Sequence, residues 1–141
     1  MTLLKLGLCA LPLFALAQTQ PVDRLCVARD APSYVESENA QLTVLSAEML
    51  TNNRFGLFSL VYPVLPKNGY PVHFDDEGIM HGSQYDGSLW EISDGDLLVK
   101  SKNGTILRVF AYDHLCNSLT SDVNMGDQTV LMELAIVRPA N

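Results

Sequence analysis

Between Phe55 and Val137 the chain never runs far without a cluster of turn residues. Pro66-Lys67-Asn68-Gly69, Asp86-Gly87, Asp94-Gly95, Asn103-Gly104 and Asn124-Met125-Gly126 cut it into short apolar runs. These are Phe55–Val64, Tyr70–Phe74, Ser88–Ile92, Asp96–Lys100, Ile106–Tyr112 and Thr129–Val137, with Gln41–Met49 ahead of them beyond Asn52-Asn53. Short runs separated by residues that tolerate positive φ are strand signals, and their spacing predicts an all-β fold, a small antiparallel sandwich or barrel. Only Glu38–Leu50 competes as a helix, because its Leu-Thr-Val-Leu centre fits either period.

The sharpest local prediction is a hairpin at Asn103-Gly104. A type I′ turn needs positive φ at both central positions, and Asn-Gly meets that at least cost. Pairing Lys102 with Thr105 then sets Val99 opposite Arg108 and Leu98 opposite Val109. Leu97, Val99, Ile106 and Phe110 fall on one face, and Leu98, Leu107, Val109 and Ala111 on the other. With both faces apolar, the hairpin is expected to be covered on both sides.

The N-terminus places this domain outside the cell. Lys5 forms a positive n-region, Leu6–Leu16 is almost wholly apolar, and Ala15-Leu16-Ala17 is a small-x-small cleavage site, the plan of a secretory signal peptide. Residues 1–17 are therefore read as the signal and 18–141 as a single secreted β domain, begun by an irregular arm over Gln18–Ser33. Cys9 leaves with the signal. Two cysteines remain, and in an oxidising compartment they have one intramolecular pairing, Cys26–Cys116.

Losing Lys5 from nine basic residues leaves eight against 16 acidic ones, a net charge of −8. Such a surface repels phosphate backbones and anionic lipid, which argues against a general nucleic-acid or membrane binder. After the signal no apolar stretch approaches the roughly twenty residues of a membrane span. Asn103-Gly104-Thr105 is an N-glycosylation sequon, so Asn103 is a glycan candidate on an exposed turn.

Catalytic and metal chemistry finds few footholds. Carboxylates crowd the turns Asp75-Asp76-Glu77-Gly78, Asp86-Gly87 and Asp94-Gly95-Asp96, but none has the spacing of a calcium loop, and Asp and Gly are ordinary turn residues. His73 and His81 lack the further ligands that zinc requires once the cysteines are paired. No metal and no cofactor are expected. There is no Gly-x-Ser-x-Gly elbow and no spare cysteine for a nucleophile. Trp90 reads as a core aromatic rather than a sugar platform.

Two resemblances bear on function. Tyr70-Pro71-Val72-His73-Phe74, Trp90-Glu91-Ile92 and Leu107-Arg108-Val109-Phe110 follow the order of active-site strands in small secreted fungal guanyl-specific ribonucleases. That resemblance implies acid–base roles for His73 and Glu91, charge stabilisation by Arg108, and His114 as the second histidine. It departs from the family in the histidine spacing. The stretch Phe74–Gly82, followed by Gly87-Ser88-Leu89-Trp90-Glu91-Ile92-Ser93-Asp94-Gly95-Asp96-Leu97 and by Tyr112-Asp113-His114-Leu115-Cys116, is similar to small secreted cell-wall proteins of filamentous fungi, the phialide-associated type. It departs in Glu77-Gly78-Ile79-Met80 and in lacking Pro after Cys116. This second resemblance spans more of the chain and implies a non-enzymatic secreted protein.

The expectation is thus a secreted extracellular binding protein, associated with the cell wall or directed at a host in the manner of an effector. Its partner would be an extracellular protein or a cell-wall polysaccharide, with neither nucleic acid nor membrane. The alternative is a secreted ribonuclease using His73, Glu91 and Arg108. That alternative requires His73 and Glu91 to face each other within hydrogen-bonding reach, with Arg108 in the same cleft.

Overall fold

The computed structural model describes residues 25–139, so the signal-peptide reading lies outside the described residues. Eight strands follow one another: β1 (Phe55–Ser59), β2 (Tyr70–Phe74), β3 (Met80–His81), β4 (Leu89–Ser93), β5 (Asp96–Lys100), β6 (Ile106–Asp113), β7 (Ser118–Met125) and β8 (Gln128–Ile136). They form one antiparallel sheet in the order β3-β2-β1-β8-β7-β6-β5-β4. Its two ends meet at an Ile79–Leu89 bridge, where Met80 N donates to Ser88 O at 2.8 Å and Trp90 N to Gly78 O at 2.9 Å. The result is a nearly closed barrel, the arrangement that removes exposed strand edges.

Alternation along each strand sends one face inward. Phe55, Leu57, Val72, Phe74, Met80, Leu97, Val99, Phe110, Leu119, Met132, Leu134 and Ile136 fill the barrel, closed over by Leu42 and Leu50. Phe74 makes edge-on contacts with Phe55 and Trp90 at centroid distances of 5.4 and 5.7 Å, a favourable aromatic geometry. Trp90 also donates its indole N–H to Asp75 O at 3.2 Å. It is half-buried, packed against the core rather than within it.

A second, smaller apolar layer lies outside the barrel. Phe58 and Ala135 point outward and are covered by Ala28 and Ala31 of the N-terminal arm, with Val27, Tyr34 and Val137 at its margin. The Cys26–Cys116 disulfide ties this arm down across 90 residues of sequence, at a Cα–Cα distance of 5.4 Å. Glu133, buried beneath the arm, accepts Val27 N at 2.6 Å, Ala28 N at 3.2 Å and the Ser118 hydroxyl at 3.0 Å. Burial pushes its carboxyl above the ordinary glutamate range, against the opposing pull of those donors.

Three local expectations are corrected. Gln41–Met49 forms no strand. Following α1 (Glu36–Asn39), it lies across a 3-10 turn (Ala40–Thr43) and the start of α2 (Ala47–Asn52). The Ser46 hydroxyl caps α2 by accepting Met49 N at 3.1 Å, and Asn39 ties α1 to β8 by bonding both N and O of Ile136.

The Asn103-Gly104 hairpin is not a type I′ turn. Gly104 alone takes positive φ there, at 93°, with Gly104 N donating to Ser101 O and Ser101 N to Thr105 O. That is a type I turn closed by a glycine in the left-handed region, the three-residue hairpin loop. It moves the pairing by one, to Lys100 opposite Ile106. A register shift at Leu107 then restores Val99 opposite Arg108 and Leu98 opposite Val109 as predicted.

The hairpin is not covered on both faces. Ile106, Leu107 and Val109 remain 54%, 41% and 40% exposed. The shift turns Ile106 outward beside Lys100, and the arm that could shield an outer face lies over β1, β7 and β8 instead.

Candidate functional site

The residues assigned to ribonuclease chemistry do not converge. Arg108 shares the inward face of β6 with Phe110. There its Nε donates to the Tyr85 hydroxyl at 3.1 Å and its Nη1 to Asp122 O at 3.0 Å, closing one mouth of the barrel. Tyr62 stands near the same mouth, its hydroxyl donating to Gln84 Oε1 at 2.5 Å, and burial pushes that phenol up to about 12. Glu91 is on the outer face of β4, bonded to Lys100 Nζ at 2.6 Å. His73 is on the outer face of β2, stacked on His81. His114 sits in the exposed β6–β7 turn with its ring edge-on to Tyr112 at 4.9 Å. Arg108 thus lies on the opposite side of the sheet from His73 and Glu91, and each of the three is engaged by a different partner.

What the sheet does assemble is a row of basic side chains. Phe55 pairs with Val72 and His73 with His81. Arg54 is the residue before β1, and continuing the first register by one residue sets it beside His73, so Arg54, His73 and His81 fall in one lateral row along the same groove. The two imidazoles are nearly parallel, 7° apart at a centroid distance of 4.5 Å. At the far end His81 Nε2 lies 2.7 Å from Asp75 Oδ2. That contact is the largest influence holding the Asp75 carboxyl below its ordinary value, aided by the backbone N–H groups of Ile79 and Glu77. Near the other end Arg138 pairs with Glu38 at 2.8 Å.

These four basic residues line an outer groove of about 490 Å³, with Pro71, Val137 and Pro139 as its apolar walls. Among the described residues no acidic side chain lines it. Sequence reading singled out His73 and weighed His81 only as a metal ligand. It missed Arg54 and Arg138 because neither belongs to a motif. The available signal was register, since His73 and His81 flank the short β2–β3 turn at equal distances from its centre.

The second surface feature is the aliphatic strip of Ile106, Leu107 and Val109, with half-buried Leu98 beside Val109. Asn103, at the tip of the same hairpin, is exposed, its side-chain oxygen accepting Thr105 N at 3.1 Å. Among the described residues no group of three or more His, Cys, Asp or Glu is placed to hold a metal ion. Compared with known proteins, the chain matches no family model, no curated protein and no solved structure.

Proposed function

We propose that this chain is a secreted extracellular protein that acts by binding rather than catalysis, at the cell wall or, effector-like, against a host. The observation that carries the reading is the aliphatic strip on β5 and β6. Branched side chains left in water on a sheet whose other face is already packed contribute nothing to the core, and such surfaces serve as contact sites. Aliphatic rather than aromatic composition favours a protein partner over a polysaccharide, whose sugar faces pack best on aromatic rings. The single disulfide suits an oxidising compartment. Among the described residues no helix is long and apolar enough to cross a membrane.

The test is co-precipitation of the oxidised chain with proteins extracted from isolated walls and culture medium, beside a Leu107→Lys/Val109→Lys variant. Both positions are exposed, so the variant is expected to fold. A partner held by the wild type and lost with the variant supports the strip. Retention of the same partner by both, or of wall polysaccharide by both, moves the contact to another face. RNA cleavage lost on His73→Ala/Glu91→Ala would overturn the non-enzymatic reading.

A further inference from the structure

We propose that the groove between β1, β2 and β3 is a binding site for a small organic oxyanion, a carboxylate or phosphate carried on an apolar body. The proposal stands apart from the aliphatic strip, which lies on other strands. Here Arg54, His73 and His81 occupy neighbouring positions of one row, in a chain whose net charge is −7. A fold short of basic residues has gathered four of its Lys, Arg and His side chains at one groove.

Their partners are unevenly distributed. Asp75 engages His81 and Glu38 engages Arg138. Among the described residues, no acid pairs with Arg54 or His73 in the middle of the row. An anion placed there meets the guanidinium of Arg54, whose planar fork matches a carboxylate or phosphate through two parallel N–H donors. It also meets the imidazole of His73, which donates from either nitrogen when protonated. Such an anion takes donors from Arg54 and His73 together, neither of which is engaged by an acid among the described residues, so the arrangement is complementary to the bound state.

Pro71 and Val137 flank Arg54 and His73 and offer apolar surface to the body of the ligand. The groove's volume of about 490 Å³ falls within the range of small-molecule sites, with a few polar groups fixing orientation among apolar walls.

The experiment follows the three histidine ring-proton signals by NMR, at constant pH and matched ionic strength, while inorganic phosphate, phenyl phosphate or benzoate is added. Phenyl phosphate and benzoate carry one ring on two anionic heads, so their order identifies the preferred head. The expected result is saturable shifts of His73 and His81 with no saturable shift of His114, which lies elsewhere. Phenyl phosphate should saturate at roughly tenfold lower concentration than inorganic phosphate, through its ring against the apolar walls. Arg54→Gln should weaken binding at least fivefold. His73→Asn, read through His81, should do the same with Arg54 in place. Shifts that grow linearly, that appear equally at His114, or that both variants leave unchanged would overturn the site.

Discussion

Glu133 shows how much one side chain can hold when it is buried with its partners. Its carboxylate receives two backbone N–H groups of the arm and the Ser118 hydroxyl, so truncation strands three donors where water does not reach. Glu133→Ala should therefore cost about 3 kcal/mol, measured as a shift in the denaturant midpoint at neutral pH. The pH dependence has a definite sign. Burial raises the carboxyl above its unfolded value of 4.5, so folding favours the protonated form. The resulting stability is fully present below the unfolded value and is lost as pH rises through the folded one. The unfolding free energy of the wild type minus that of Glu133→Gln should consequently fall as pH climbs from 4 towards neutrality. A difference that rises over that interval would show that the backbone donors outweigh burial. Asp75 behaves oppositely, since its depressed carboxyl contributes only above the ordinary aspartate range and loses its effect on acidification.

At the scale of elements, two glycines separate the effects of space and backbone. Gly56 on β1 lies against the loop before β2, and a Cβ there would stand 2.3 Å from Asn68 O, a backbone atom that cannot swing aside. Gly104 at the hairpin tip has φ of 93° but nothing within 4 Å. Gly56→Ala should therefore cost about 3 kcal/mol through overpacking, while Gly104→Ala costs about 1 kcal/mol through backbone strain alone. Thermal unfolding of the pair checks the ranking. These positions also explain what could be read in advance. Strands β1, β2, β4, β5, β6 and β8 were legible because apolar runs lay between clusters of turn residues. Strand β7 escaped because Ser118-Leu119-Thr120-Ser121-Asp122-Val123 is too polar to register as a run, although Leu119 and Val123 alternate correctly. The outward turn of Ile106 depends on a one-residue register shift at Leu107 that no composition rule announces. Of the candidate groove only His73 stood out, because the row is made by pairing distant strands rather than by spacing within one.

The molecule as a whole is a barrel with a strap, and the disulfide joins the two. Cys116 follows β6 and Cys26 lies in the arm, so the bond closes 90 residues that include β1 to β6. In the chain-entropy account, closing a loop of that length removes about 4–5 kcal/mol of freedom from the unfolded chain. That is a large part of the stability of a domain this size. The pairing of β8 with β1, which joins the two halves of the sheet, does not depend on the bond, so a Cys26→Ser/Cys116→Ser variant should still fold at low temperature, with its stability reduced by about that amount. Its denaturant dependence should steepen, because the unfolded state loses its crosslink and exposes more surface. The strap supplies a sharper readout. If the disulfide and Glu133 hold the same arm in place, their effects are coupled, because an arm already released has little left for the carboxylate to hold. Glu133→Ala should then cost at least 0.5 kcal/mol less in the cysteine-free background than in the wild type. Additive losses would mean that the arm's docking survives without its bond, leaving the disulfide to act through the unfolded chain alone.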